Sequence, residues 1–438
     1  MQEHTRQGGN KALGLLELIA LGVGGMIGGG IFSMLGLAVS ITGHAAPFAF
    51  LIGSFVAFFA GYSYIRLALT FRNDGASYIY LMRAFPHRPE ISTMTGWTVT
   101  IGYVGTLALY AFTFGAYGAD LIGQSGAPLI RMAMSLAVLI FFLLVNLRGA
   151  RASGHTEDLV VYAKILILAV FAVAGMKTIS HHNLFPLFDK GGASVFMAGA
   201  LIFVAFEGFQ LITNTVTETR DPDKNIPRGI YGAIAITSAI YILLAVVAIG
   251  NLPIPELIKA EEYALAEAAR PVLGEAGVIM VGVAALLATS SAINATVLGS
   301  ARMMAEMARE RRMPAWLAAR NGTGAPWLAV ITLSGLAGAF TLLGGLEVIA
   351  SFSSMTFLLV SIGVSVANWK LRAKTGSKPW IIAAGIALMS VTVMLLLVHL
   401  GTEKPLTLAA VAGIYAAAGL PAWIYGRRKG AEKASGAS

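Results

Sequence analysis

Of 438 residues, 57% are hydrophobic, a further 50 are glycine and only 12% are charged, whereas an average soluble protein has about 45–50% apolar residues including glycine and about 25% charged ones. So little charge leaves too much apolar surface uncovered for a soluble fold, and the sequence is that of an all-α integral membrane protein. The lack of cysteine excludes disulfides and thiolate sites, the seven histidines fall in loops or near segment ends and suggest no metal site, and a net charge of +9 is here a topology signal before it is a sign of nucleic acid.

Stretches long enough to cross about 30 Å of hydrocarbon, roughly 20 residues each, are predicted at 13–40, 45–70, 94–124, 129–148, 157–179, 194–219, 229–250, 275–307, 326–344, 346–369, 379–400 and 405–426, which makes twelve transmembrane helices. The first has no basic leader or small-residue cleavage site and is expected to be a retained span. With the N-terminus inside, 24 of the 31 Lys and Arg lie on one side of the bilayer, six lie on the other, and Lys164 falls inside a span. That asymmetry predicts a multi-pass protein of the cell membrane with both termini cytoplasmic. The loops 71–93 and 308–325 are basic and inside. The loop 251–275 is outside, carries Glu256, Glu261, Glu262, Glu267 and Glu275, and is expected to form a short surface helix. The closing run GAEKASGAS is expected to be a disordered tail, with no soluble domain appended.

Segment 1 reads LIALGVGGMIGGGIFSMLG, with Gly22, Gly24, Gly25, Gly28, Gly29 and Gly30 near the expected midplane. Each glycine weakens a helix by about 1 kcal/mol relative to alanine, so the cluster predicts a place where the helix unwinds. Close helix packing is the competing reading, since Gly24–Gly28 and Gly25–Gly29 are GxxxG pairs. A nucleotide-binding loop is excluded because no strand precedes it and the third glycine of GxGxxG is missing. Unwound backbone at membrane depth survives where it lines a cavity, and it offers N–H groups at the start of one half-helix and C=O groups at the end of the other. Such a break suits a zwitterion.

Segment 6 reads GALIFVAFEGFQLITNTVTETRDPDKNIPRG, with Glu207 and Gly208 near its middle. Interruptions at matching places in two halves are the sequence sign of an inverted repeat with its site between them. Glu207 is either a protonated carboxyl held in a helix interface or a carboxylate facing the cavity. In segment 5, Lys164 stands about 10 Å into the membrane from Glu157. It either snorkels back to the interface along its own stem or is buried and exchanges a proton there.

The motifs GVGGMIGGGIF, FVAFEGFQ followed by TETRDPDKNIPRGI, and TSSAINATVLGSARMMAEMARERRMP occur in that order. Together they resemble the amino acid–polyamine–organocation (APC) superfamily over about residues 11–427, and most of all its ApcT-type proton-coupled amino acid transporters. The resemblance implies a LeuT-like fold: helices 1–5 (11–180) and 6–10 (190–372) as inverted repeats, two peripheral helices (378–427), a cytoplasmic tail (428–438), and alternating access around a midplane site. It implies a substrate carboxylate on Gly28, Gly29 and Gly30, an ammonium on carbonyls near Gly25, Met26, Phe206 and Glu207, and Phe206 as an aromatic lid. Glu207 departs from the apolar residue common at its position, which leaves side-chain specificity open. The resemblance also gives Lys164 the place of a coupling cation, touching backbone near Gly24 and the hydroxyls of Ser290 and Ser291.

The expected function is therefore secondary transport of α-amino acids driven by protons, with lipid as surroundings and no cofactor. An amine or polyamine transporter, or an amino acid exchanger, is the alternative. A channel is disfavoured because no ring-forming filter sequence appears, and a membrane enzyme because no nucleophile–His pair or metal set lies within the spans.

Overall fold

The computed structural model describes residues 13–73, 76–148 and 154–435. Its elements there are helices, apart from one isolated parallel bridge between Leu13 and Thr219. Ten helical stretches among the described residues are long and apolar enough to cross a membrane, and two shorter apolar helices, Leu15–Met26 and Trp327–Leu343, accompany them. This is a multi-pass membrane protein.

The predicted first span divides into α1 (Leu15–Met26) and α2 (Gly30–Thr42), with residues 27–29 unwound between them. At the far end of α2, Gly43 takes φ 58° and a short 3-10 turn, Gly43–Ala45, leads into α3 (Ala46–Phe71). The basic loop that follows contains a nine-residue helix, α4 (Ala76–Ala84). Then come α5 (Pro89–Leu121), α6 (Pro128–Leu147) and α7 (Gly154–Met176). The sixth predicted span is α8 (Gly192–Leu201), a 3-10 stretch over Ile202–Phe209, and one turn of α9 (Gln210–Thr213). Proline in the first turn opens α3, α5, α6 and α10 (Pro222–Asn251), where its missing N–H has no intrahelical partner to lose.

Two expectations need correction. The loop 251–275 does form helix, as α11 (Ile254–Ala260) and the first part of α12 (Ala264–Arg309), set off from the long span by Gly274 at φ 65°. Only α11 is a surface helix, with Pro255, Glu256 and Lys259 exposed over buried Leu257 and Ala260; the second stretch is not, because Ala264, Leu265 and Ala268 are fully buried, and the apolar residues pack onto α2 and the rest of α12. The tail is not unstructured as far as it is described, since the last helix, α17, continues to Ser435. Alanine, glutamate and lysine are strong helix formers and extend it beyond the apolar part. Before α17 (Pro405–Ser435) the chain passes through α13 (Trp327–Leu343), α14 (Leu346–Lys370), α15 (Arg372–Thr375) and α16 (Pro379–Glu403).

The middle of the bundle holds α5 against α12 and α14, and α3 against α10 and α8. α6 and α16 lie at the rim and expose large apolar side chains, among them Leu129, Ile140 and Phe141 on α6 and Trp380, Val391 and Met394 on α16. Such a surface suits contact with hydrocarbon. At the end of the bundle where the basic loops collect, called the basic face below, the starts and ends of the two interrupted spans are tied together. Leu13 N donates to Glu218 O, and Arg220 N donates to Leu13 O.

Candidate functional site

Unwinding a span leaves backbone groups without helical partners, and in a membrane they have to be satisfied by neighbours. Three side chains from other helices do this. Lys164 of α7 is fully buried and its ammonium donates to Gly24 O at 2.9 Å and Ile27 O at 2.6 Å, on the two sides of the end of α1. Tyr241 of α10, also fully buried, donates to Met26 O at 2.6 Å and lies 3.2 Å from Ala205 O, so one hydroxyl bridges both interrupted spans. Ser354 of α14 accepts from Val204 N at 3.0 Å and donates to Leu201 O, which holds the 3-10 stretch. Tyr241→Phe leaves two buried carbonyls without this donor, which costs about 1–3 kcal/mol. The expected result is a lower melting midpoint in detergent, and an unchanged midpoint would show that the hydroxyl is no strut.

The two interruptions meet backbone to backbone. A Cβ built on Gly208 would stand 2.3 Å from both Gly25 C and Met26 N. Beside this crossing lies a cavity of about 370 Å³ whose walls include Gly24 and Gly25, Tyr103, Thr106 and Tyr110 of α5, Glu207 and Gln210, and Ser291 and Asn294 of α12. Glu207 is 7% exposed and shares the cavity wall with Thr106, whose hydroxyl donates to Gly102 O at 3.1 Å. Buried nearby are two amide atoms with no hydrogen-bond partner among the described residues, Gln210 Nε2 and Asn214 Oδ1, both from residues that line the cavity. The space thus combines aromatic walls, one carboxyl and unsatisfied amides, which is the equipment for a small polar molecule.

A second cavity of about 460 Å³ shares Tyr103, Gln210, Asn214, Thr296 and Arg302 with the first, and reaches Asn73, Tyr78, Glu306 and Glu310 at the basic face. At its mouth the Tyr78 hydroxyl donates to Glu310, and burial together with that bond pushes the phenol well above its ordinary pKa. Towards the opposite face stands α2, buried from Gly30 to Val39. The turn at Glu261 lies across Gly36, where a Cβ would come 2.0 Å from Glu261 O.

Of the residues singled out from the sequence, Gly24, Gly25, Glu207 and Ser291 share the cavity wall, and Lys164 is bonded to its backbone. Ser290 is half-buried on the same stretch of α12. Met26 O, expected to face a ligand, is taken by Tyr241. Gly28 and Gly29 lie under the ring of Tyr110, and Gly30 lies against Ala205 and the Tyr241 hydroxyl. Phe206 is fully buried and packs edge-on against Tyr241 and close to Gly53, away from the cavity. The residues missed, Tyr103, Thr106 and Tyr110, fall at i, i+3 and i+7 in an apolar span; Glu207, Gln210 and Asn214 repeat that spacing. One polar face on each helix was the available signal. Among the described residues no group of three His, Asp or Glu is placed to hold a metal.

Comparison with known proteins points the same way. The family profile described as amino acid permease matches residues 13–423. The chain is similar to the inner membrane transport protein YbaT of Escherichia coli, at 30% identity over 88% of this chain and 90% of the relative. It is also similar to two proteins of Bacillus subtilis, the methylthioribose transporter, at 26% identity over 82% of both chains, and the branched-chain amino acid permease BcaP, at 24% identity over 82% of this chain and 81% of the relative. The chain belongs to the amino acid permease family, within the APC superfamily of membrane transporters.

Proposed function

We propose that this protein is a secondary transporter that carries α-amino acids across the cell membrane by alternating access, coupled to protons through Lys164. The observation that carries the reading is the crossing of two interrupted spans at Gly25 and Gly208 with a lysine ammonium bound to the end of the first. It fits twelve spans, with 11–180 and 190–372 as inverted repeats, 378–427 as peripheral helices, and both termini in the cytoplasm. On that orientation the continuous cavities open inward, and the burial of α2 under the outer loop closes the outer side. Such a state is the one from which substrate leaves. Loading from outside then requires the Tyr110 ring to uncover the amides of Gly28 and Gly29, the seat proposed for the substrate carboxylate. The test is purified protein in liposomes, offered labelled amino acids and amines with and without an inward proton gradient. Gradient-dependent accumulation of amino acids supports the reading, and amine uptake alone overturns it.

Glu207 favours a second reading, in which amines or polyamines are also accepted, because a carboxyl on the cavity wall can receive a ligand's cationic end. Comparing alanine, arginine and putrescine uptake by the wild type and Glu207→Gln decides the matter. Loss of arginine and putrescine uptake with alanine retained is expected, and an unchanged preference order across all three makes Glu207 structural.

A further inference from the structure

At the basic face, apart from the substrate path, lies a third cavity of about 340 Å³. Three of its walls are cationic, Arg83, Arg312 and Lys374, and among the described residues no acidic side chain lines it. Phe71, Phe85 and Leu371 form the apolar part of the lining. Arg83 and Lys374 are exposed and form no ion pair among the described residues. Arg312 differs from both. It is 5% exposed and its guanidinium is fixed by Ser92 Oγ at 2.8 Å, Thr93 Oγ1 at 3.1 Å and Pro89 O at 3.4 Å.

Such a concave group of cations beside apolar walls, at the ends of α3, α14 and the start of α5, lies at the depth where a membrane presents its phosphates. We propose that this cavity binds the phosphodiester of an anionic phospholipid, with Arg83 and Lys374 taking the charge, Arg312 as the fixed base of the pocket, and the apolar walls receiving the glycerol and upper chain.

The site has a route to the transport path. α4 presents Ser77, Tyr78 and Ile79 to the vestibule, while Met82 and Arg83 line the lipid pocket. Arg312 Nε is 2.9 Å from Glu310 Oε2, and Glu310 accepts from Tyr78. A bound phosphate therefore steadies the short helix that forms one lip of the inner mouth.

Arg83→Gln with Lys374→Gln tests this without disturbing a buried group. Delipidated protein is given phosphatidylglycerol or phosphatidylcholine and examined by native mass spectrometry and by hydrogen exchange over 76–84. Retention of phosphatidylglycerol is expected to fall about tenfold or more in the double variant, with phosphatidylcholine unaffected. Phosphatidylglycerol is expected to slow exchange in α4 of the wild type alone. Should millimolar inorganic phosphate slow it equally in the wild type and not in the variant, the anion site stands with soluble phosphate as its occupant. If an intact double variant, with the wild-type melting midpoint, retains phosphatidylglycerol like the wild type and shows the same protection, the site is refuted. Neither readout depends on the transported substrate, so failure here and failure of the transport reading are separate results.

Discussion

Lys164→Ala is expected to abolish proton-driven accumulation while leaving the protein in the membrane. The ammonium makes two charge-assisted bonds to the end of α1, at Gly24 O and Ile27 O, and bonds of that kind contribute about 1.5–3 kcal/mol each. Alanine removes both and leaves the carbonyls buried with a void between α7 and the unwound residues. Initial uptake in liposomes should fall by about tenfold or more, and what remains should not respond to an imposed inward proton gradient. Accumulation against a substrate gradient by a well-folded Lys164→Ala protein under that gradient would remove the coupling role. The burial of Lys164 argues against snorkelling, since its charged end is bonded inward to the midplane backbone rather than stretched toward the interface.

The second large effect is expected at Gly208. Its missing side chain is what lets the two interrupted spans touch, and a methyl group there would have to fit 2.3 Å from backbone atoms of Gly25 and Met26. Backbone does not yield as a flexible side chain does, so Gly208→Ala must push the spans apart. Overpacking of this kind costs about 1–3 kcal/mol. The substitution should lower the melting midpoint and eliminate transport, because the cavity is built on that crossing. Gly413→Ala serves as the control, for Gly413 on α17 has nothing within 4 Å of a built Cβ, and it should behave like the wild type. Normal uptake by Gly208→Ala would show that the crossing is not needed for transport.

Much of this arrangement is legible in the sequence, because the strongest signals there are local. Six glycines within nine positions cannot make a stable helix, and the unwound residues 27–29 fall inside that run. A lysine among apolar residues stands out wherever it sits. What was not legible depends on which face of each helix turns inward and on which donor meets which carbonyl. Tyr103, Thr106 and Tyr110 define a face, but only the packing of α5 against α12 says that this face is the inner one. Tyr241 looks like any tyrosine in an apolar helix until the fold places its hydroxyl between Met26 and Ala205. For the same reason Phe206, which follows the pattern of a lid, belongs in this structure to the packing behind the cavity wall.

The contact between Glu261 and Gly36 has a consequence for the order of events. Glu261 holds φ 37°, a left-handed conformation that an L-residue adopts at some strain, and its carbonyl rests on bare backbone of α2. The neighbouring Glu262 is paired with Arg131 of α6, so the turn that rests on α2 is also anchored to the rim. In the proposed cycle α2 cannot tilt outward beneath a pinned loop; the latch has to lift first. In that cycle the strained backbone at Glu261 weakens the latched turn, so the same residue that closes the outer side also makes the closure easier to undo.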